Sequence, residues 1–211
     1  MRILITAGPT REYIDDVRFL SNASTGRMGC AIARAAVGRG HEVVLVCGPL
    51  EVAPPPCCVR DVVSTADMLE RCCEEFPQAD ALIMAAAPAD FRPARRVKGK
   101  IKKSIKPPTL RLVGAPDILA ELTCRRTTQV LVGFALEATD LEKNARQKLR
   151  DKGLDLIVAN TPEAIAAERS TVHVFFPDGA SEVLADLPKE ATAEHLVELV
   201  ERLVAERRRD A

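Results

Sequence analysis

The chain has 211 residues and carries 30 basic and 30 acidic side chains, for a formal net charge of zero. With 47% hydrophobic and 28% charged residues it reads as one globular domain over 1–211, which excludes a disordered segment or a disulfide miniprotein. No apolar run reaches the ~20 residues a bilayer span needs, and neutral charge argues against a generic nucleic-acid binder, so we expect a cytoplasmic protein without membrane or nucleic-acid partners.

Seven cysteines stand at 30, 47, 57, 58, 72, 73 and 124 without a CxxC, and His41, His173 and His195 are scattered. Reduced thiols are expected rather than a disulfide framework, and no residue is assigned to a metal.

In chain order, Arg2–Thr6 is an apolar strand closed by Ala7-Gly8-Pro9. Met28, Ile32, Ala35 and Ala36 give helical spacing over Met28–Arg39, and Glu42–Cys47 is a β-branched strand. Cys58–Val63 is a shorter strand, Ser64 or Thr65 caps a helix to Phe76, and Ala81–Ala86 is the next strand. Pro88 to Pro108 has no period. Leu110–Val113 reads as a strand, and Pro116 as the first residue of a helix reaching Cys124. Val130–Ala135 is a strand, Asp140 to Lys152 a charged helix, and Leu154–Ala159 another strand. Thr171–Phe176 and Ser181–Leu184 flank Pro177-Asp178-Gly179 as a hairpin, and Lys189–Arg208 is the terminal helix. The alternation predicts a doubly wound, mostly parallel, open α/β sheet of Rossmann-like type with a C-terminal antiparallel hairpin.

In such sheets ligands bind beyond the carboxyl ends of the strands. The first connection there is about twenty residues, far longer than a dinucleotide turn, and keeps only Gly26-Arg27-Met28-Gly29 of a glycine fingerprint. It reads either as an ordinary helix start or as an anion site, with Ser24, Thr25 and free N–H groups at a helix N-terminus and Arg11, Arg18 and Asn22 nearby. At the end of the fourth strand, Ala85-Ala86-Ala87-Pro88-Ala89-Asp90-Phe91 would let a flat ring approach the backbone, with Asp90 as an acceptor. Arg92–Lys106 holds eight basic residues and no acid, a solvated loop or an anion-binding arm. Lys148 and Lys152 share a helix face at i and i+4.

Together, ILITAGPTREYIDDVRFLSNASTGRMGCAIA, AAAPADFRPARRVKGKIKK, GAPDILA, LVGFALEAT and ARQKLRDKGLDLIVAN resemble, in order and over essentially the whole chain, the phosphopantothenate–cysteine ligase family of coenzyme A biosynthesis. The resemblance implies Mg²⁺-dependent joining of 4′-phosphopantothenate and L-cysteine through an acyl-nucleotide, with CTP favoured over ATP and pyrophosphate released. It also implies a homodimer with the 171–185 hairpin at its interface, no FMN, and a separate decarboxylase acting downstream. By resemblance Arg18, Asn22 and Lys100 are the catalytic residues, with Lys100 on a mobile basic loop over 92–108. The same resemblance gives nucleotide contacts at Gly8, Ser24, Thr25, Gly26 and Met28, then Ala86, Ala87, Asp90 and Phe91. It adds Pro116, Asp117, Ile118 and Leu119, then Phe134, Lys148 and Lys152. Arg27 stands where the family commonly has lysine.

Two rival readings are an NAD(P)-dependent oxidoreductase and a non-catalytic nucleotide or nucleic-acid binder. The missing GxGxxG opposes the first, and 3% aromatic residues with no Trp oppose a stacking platform for the second.

Overall fold

The computed structural model describes residues 1–103, 108–164 and 167–210. Strand β1 (Arg2–Ala7) leads into a short pair, β2 (Arg11–Tyr13) and β3 (Phe19–Ser21), before helix α1 (Arg27–Gly38). Then come β4 (Glu42–Cys47), β5 (Cys58–Asp61), α2 (Thr65–Glu75) and β6 (Ala81–Met84). A second short pair, β7 (Phe91–Pro93) and β8 (Leu112–Gly114), precedes α3 (Ile118–Cys124) and β9 (Val130–Leu136). The chain closes with α4 (Leu141–Asp151), β10 (Leu156–Asn160), β11 (Arg169–Phe175), β12 (Ser181–Pro188) and α5 (Lys189–Asp210).

The main sheet runs β12-β11-β10-β9-β6-β1-β4-β5. Its six strands from β5 to β10 are parallel, and β11 and β12 add antiparallel strands at one edge. This is the doubly wound sheet with a terminal hairpin that the sequence predicts. Both faces are apolar, as a covered parallel sheet requires. Ile3, Ile5 and Ala7 of β1 pack with α1 and α5, while Leu4, Val44 and Val46 pack with α2, α3 and α4. Chain order reverses between β1 and β6, so the carboxyl ends of these two strands form the topological switch point.

Gly29 sets how closely α1 meets the sheet. A Cβ there would lie 2.5 Å from the Ala7 Cβ and 2.9 Å from the Thr6 carbonyl oxygen, so the helix axis sits at a distance only glycine permits.

Several boundaries differ from the sequence reading. Pro116 is not the first helical residue: Asp117 caps α3 by accepting from the Ala120 N–H at 2.9 Å, and proline precedes the cap. The strand expected at Leu110–Val113 occupies Leu112–Gly114 and pairs with Phe91–Pro93, inside the stretch that shows no period. Ser64 rather than Thr65 caps α2, in a capping box with Asp67. Lys106 of the basic run lies outside the described residues. Among the described residues no helix is long and apolar enough to cross a membrane.

The end of α1 is tied to α5. Arg39 Nη2 reaches Glu201 Oε2 at 2.7 Å, and His41 Nε2 lies 2.7 Å from Glu201 Oε1. The Arg39 guanidinium, then His41, overcome partial burial and hold the Glu201 carboxyl at about 2. A carboxyl lowered by folding stabilises above its unfolded value, here 4.5, and loses that contribution as pH falls through about 2. We therefore expect Glu201→Gln to lower unfolding free energy at pH 7 by about 1 kcal/mol, allowing for solvent screening. Urea titrations should show the gap between the two proteins closing as pH falls from about 5 towards 2.

Candidate functional site

The loops leaving β1 and β6 are joined at the switch point. The Ala87 N–H donates to the Gly8 carbonyl at 2.9 Å, and the Ala86 N–H to Thr6 Oγ1 at 3.1 Å. Deeper, the Ala89 N–H donates to Thr10 Oγ1 at 2.9 Å, Thr10 and Thr65 hydroxyls lie 2.8 Å apart, and Thr65 Oγ1 donates to the Ala89 carbonyl at 3.3 Å. Thr10 and Thr65 are buried, and the buried Glu12 accepts from the Thr65 N–H at 2.7 Å. Asn22, held beside this seam by β3, donates through Nδ2 to the carbonyls of Ala87 at 3.2 Å and Pro88 at 2.9 Å.

Beside Ala86–Asp90 lies a cavity of about 270 Å³. One wall is Met84, Ala86, Pro88, Ala89 and Asp90; the other is Ala115, the start of α3, Phe134, Lys148 and Lys152. The structure thus gathers in one place Ala86, Asp90, Pro116, Asp117, Ile118, Leu119, Phe134, Lys148 and Lys152, segments far apart in the chain. Small alanines and a proline on one side face an aromatic ring on the other, a slot shaped for a flat ring.

The two lysines differ in environment. Lys152 pairs with Asp117, whose carboxyl is held low by Lys152 and by the Ala120 N–H despite burial. Lys148 donates to the Phe134 carbonyl at 2.8 Å, and burial lowers its ammonium pKa although Glu137, Asp117 and Asp90 pull the other way. Lys148 is therefore the cavity's less compensated cation.

The start of α1 forms a second part of the site. Gly26 is its N-cap at φ +78°, and the cap has neither a side-chain hydrogen bond nor an acidic residue in the first turn. The first-turn N–H groups and the helix dipole are open to an anion. Ser24 and Thr25 hydroxyls lie at 3.4 and 3.5 Å from the Gly26 and Arg27 N–H groups, long contacts that leave them available. Gly8 at the end of β1 and Met28 in the first turn adjoin this start, and Gly8 approaches Gly26 directly.

Arg18 and Lys100 come together in a third part. Buried Asp15 accepts from the N–H groups of Val17 at 2.8 Å, Arg18 at 2.7 Å and Ile101 at 3.1 Å. Burial opposes its charge, but these donors and the Arg18 guanidinium hold its carboxyl below the usual range. Arg18 Nη2 donates to the Ile101 carbonyl at 2.7 Å, and Asp16 accepts from the Gly99 N–H at 2.6 Å. Both neighbours of Lys100 are thus tied to the β2–β3 turn, while its own side chain is exposed. Phe91, in β7, is 60% exposed and stands outside the cavity lining.

Sequence reasoning missed the seam itself: Thr10, Glu12 and Asp15 lie within the first motif and Thr65 reads only as a candidate helix cap, with no contact between them foreseen. Asp15-Asp16 between Arg11-Glu12-Tyr13 and Phe19-Leu20-Ser21 is a turn signal between two short strands, and that was the available clue. Among the described residues no group of three or more His, Cys, Asp or Glu side chains could hold a metal ion.

Residues 1–203 match the family described as DNA/pantothenate metabolism flavoprotein C-terminal domain. The chain is 44% identical over 193 residues to the coenzyme A biosynthesis bifunctional protein CoaBC of Bacillus subtilis (strain 168), covering 89% of this chain and 48% of that one. It thus spans about half the length of the curated relatives it matches. The solved C-terminal domain of a coenzyme A biosynthesis bifunctional protein CoaBC superposes with TM-score 0.85 at 38% identity, covering 97% of this chain and 96% of that one. A solved protein in complex with phosphopantothenate-cysteine shares the fold at TM-score 0.82 and 17% identity, covering 97% and 88%. The family read from the sequence motifs is borne out, and the chain belongs to the DNA/pantothenate metabolism flavoprotein C-terminal domain family.

Proposed function

We propose that this chain is a phosphopantothenate–cysteine ligase of coenzyme A biosynthesis, using CTP to join 4′-phosphopantothenate and L-cysteine. The observation that carries the reading is the slot between Ala86–Asp90 and Phe134, floored by Lys148 and Lys152 and linked through Asn22 to the open N-terminus of α1. A pyrimidine and ribose occupy the slot, and the triphosphate runs towards the first turn of α1.

The pantothenate carboxylate attacks the α-phosphorus, the bond to the β-phosphate breaks, and pyrophosphate leaves with that bond's electron pair. The cysteine amine then attacks the acyl carbon, loses a proton to solvent, and expels CMP. No enzyme nucleophile is required, which suits the thiols: burial pushes Cys47 and Cys72 up to about 12. Asn22 donates from Nδ2 to the Ala87 and Pro88 carbonyls and so positions the wall of the slot without adding charge. Lys100, with Arg18, brings positive charge to the phosphates. The exposed Asp90 would be the carboxylate offered to a Mg²⁺ ion that enters with the triphosphate, and the ion would neutralise phosphate charge.

For the dimer, exposed Val17, Phe19, Phe91, Leu110 and Leu112 give the β2–β3 and β7–β8 side an apolar surface, whereas the 171–185 hairpin exposes Val183. We place the contact on the former side. The oxidoreductase reading is opposed by a β1–α1 connection that contains a two-stranded pair instead of a tight glycine turn.

Pyrophosphate release with phosphopantothenate, cysteine and each of four nucleoside triphosphates tests the reaction. CTP should give the highest kcat/KM; no release with any of the four, while CTP still binds, would establish the non-catalytic reading instead. In single-turnover runs with labelled CTP, Lys100→Gln should slow acyl-nucleotide formation by about 10²-fold. Asn22→Asp should bind CTP but process the intermediate poorly, because it places a negative charge beside an acyl-phosphate. Near-normal turnover in both variants would remove these residues from the mechanism. Asp15→Asn should loosen the segment carrying Lys100, raising amide exchange at Val17, Arg18 and Ile101 by about tenfold or more, the loss of charge-assisted bonds worth about 1.5–3 kcal/mol each.

A further inference from the structure

A second cavity, of about 500 Å³, opens between α1 and α5, the helix layer opposite α3 and α4. Arg27 and Arg34 of α1, Arg169 at the start of β11 and Lys189 at the start of α5 line it, with Val52 and Pro188 as apolar wall. Glu168 and Glu190 are the carboxylates on its lining, and both are exposed.

The cations are unevenly satisfied. Arg169 is paired with Asp186. Among the described residues, no carboxylate lies within ion-pair distance of Arg27, Arg34 or Lys189. The Arg27 Nε is buried with no hydrogen-bond partner among them. Lys189 is only 6% exposed, and its Nζ spends one donor on the Ala164 carbonyl at 2.9 Å. An ammonium has three donors, so two remain for the cavity. Burial, and then Arg27, lower the Lys189 ammonium pKa, and Glu190 only partly opposes them.

Like charges gathered around a concave, partly desolvated space repel one another. A multiply charged oxyanion entering that space would pair with each of them, and arginine forks match phosphate oxygens two at a time. The volume falls within the range of small-molecule sites, large enough for a diphosphate or a phosphate monoester with a small organic body. The positive end of α1 adds to the field at Arg27.

We propose that the cavity between α1 and α5 is a binding site for a phosphate- or diphosphate-bearing small molecule, held by Arg27, Arg34 and Lys189. The site stands on its own residues and does not depend on the ligase reading. Its ligand is either the diphosphate end of a nucleotide or its released pyrophosphate, or a separate phosphorylated molecule.

Calorimetric titration of the full chain with pyrophosphate, and in parallel with inorganic phosphate, tests it without any turnover. Wild type should bind pyrophosphate more tightly than phosphate. Arg34→Gln, a change at an exposed side chain that should leave the fold intact, should weaken pyrophosphate binding about tenfold, the scale of one lost charge-assisted pair. Lys189→Gln should weaken it at least as much. Repeating the titration with a CTP analogue that cannot be cleaved distinguishes the sources: competition assigns the site to the nucleotide's own diphosphate, and additive binding to a separate molecule. Pyrophosphate affinity unchanged in Arg34→Gln, or no binding by wild type at about 1 mM, overturns the proposal.

Discussion

Ala89, Thr10 and Thr65 close a small ring of hydrogen bonds, and the placement of the cavity beside Ala86–Asp90 depends on it. The Ala89 N–H donates to Thr10 Oγ1, the Thr10 hydroxyl to Thr65 Oγ1, and the Thr65 hydroxyl back to the Ala89 carbonyl. Parallel strands at a switch point send their loops in opposite directions, which opens a crevice but leaves its walls unconnected. The ring connects them, fixing the first connection, the start of α2 and the loop after β6 relative to one another. Its members are buried, so the loss of one hydroxyl would strand the other groups without water to replace it. Ser21 donates to the Thr10 carbonyl at 2.7 Å, which carries the constraint on to Asn22 next in sequence. The residue that bridges the Ala87 and Pro88 carbonyls is thus placed through the hydroxyl of its neighbour on the Thr10 carbonyl.

The same economy governs charge. Asp117 caps α3 and also holds Lys152, so one carboxylate does a structural and an electrostatic task together. Lys148, one turn earlier on α4, receives only the Phe134 carbonyl as a direct partner and stays under the strain of burial. In sequence the two lysines look equivalent, a pair at i and i+4. Their difference arises from α3, whose cap reaches one and not the other.

The large elements were legible because they follow simple periods. β1, β4 and β9 are continuous apolar runs, and α1 repeats small apolar residues at helical spacing. The short pairs β2–β3 and β7–β8 were not, because three residues are too few to display alternation, and β7 pairs with a strand nearly twenty residues further along. At the cavity, the residues that carry a motif were legible: Asp90, Pro116 to Leu119, Phe134 and the two lysines. The contacts of the seam were silent, since a threonine that satisfies a buried carbonyl has the same sequence signature as one in solvent. The basic cavity was silent for another reason: Arg27 and Lys189 meet only because α5 returns across the sheet to lie on α1.

That return makes α1 a wall of the basic cavity. Its first turn begins at the switch point and carries Arg27, and Arg34 follows two turns on, both lining the basic cavity. Gly29 presses the helix onto Ala7 and Thr6 with no room for a methyl group, so α1 cannot slide along β1 without breaking that contact. Arg39 and His41 fix its far end to Glu201. A helix held at both ends transmits position but not displacement. The stretch carrying Lys100 is held differently, by its backbone. Asp15 and Asp16 tie that stretch through Ile101 and Gly99 while leaving the lysine itself exposed. Backbone anchors on either side of Lys100 fix the chain there and leave its exposed side chain free to change rotamer.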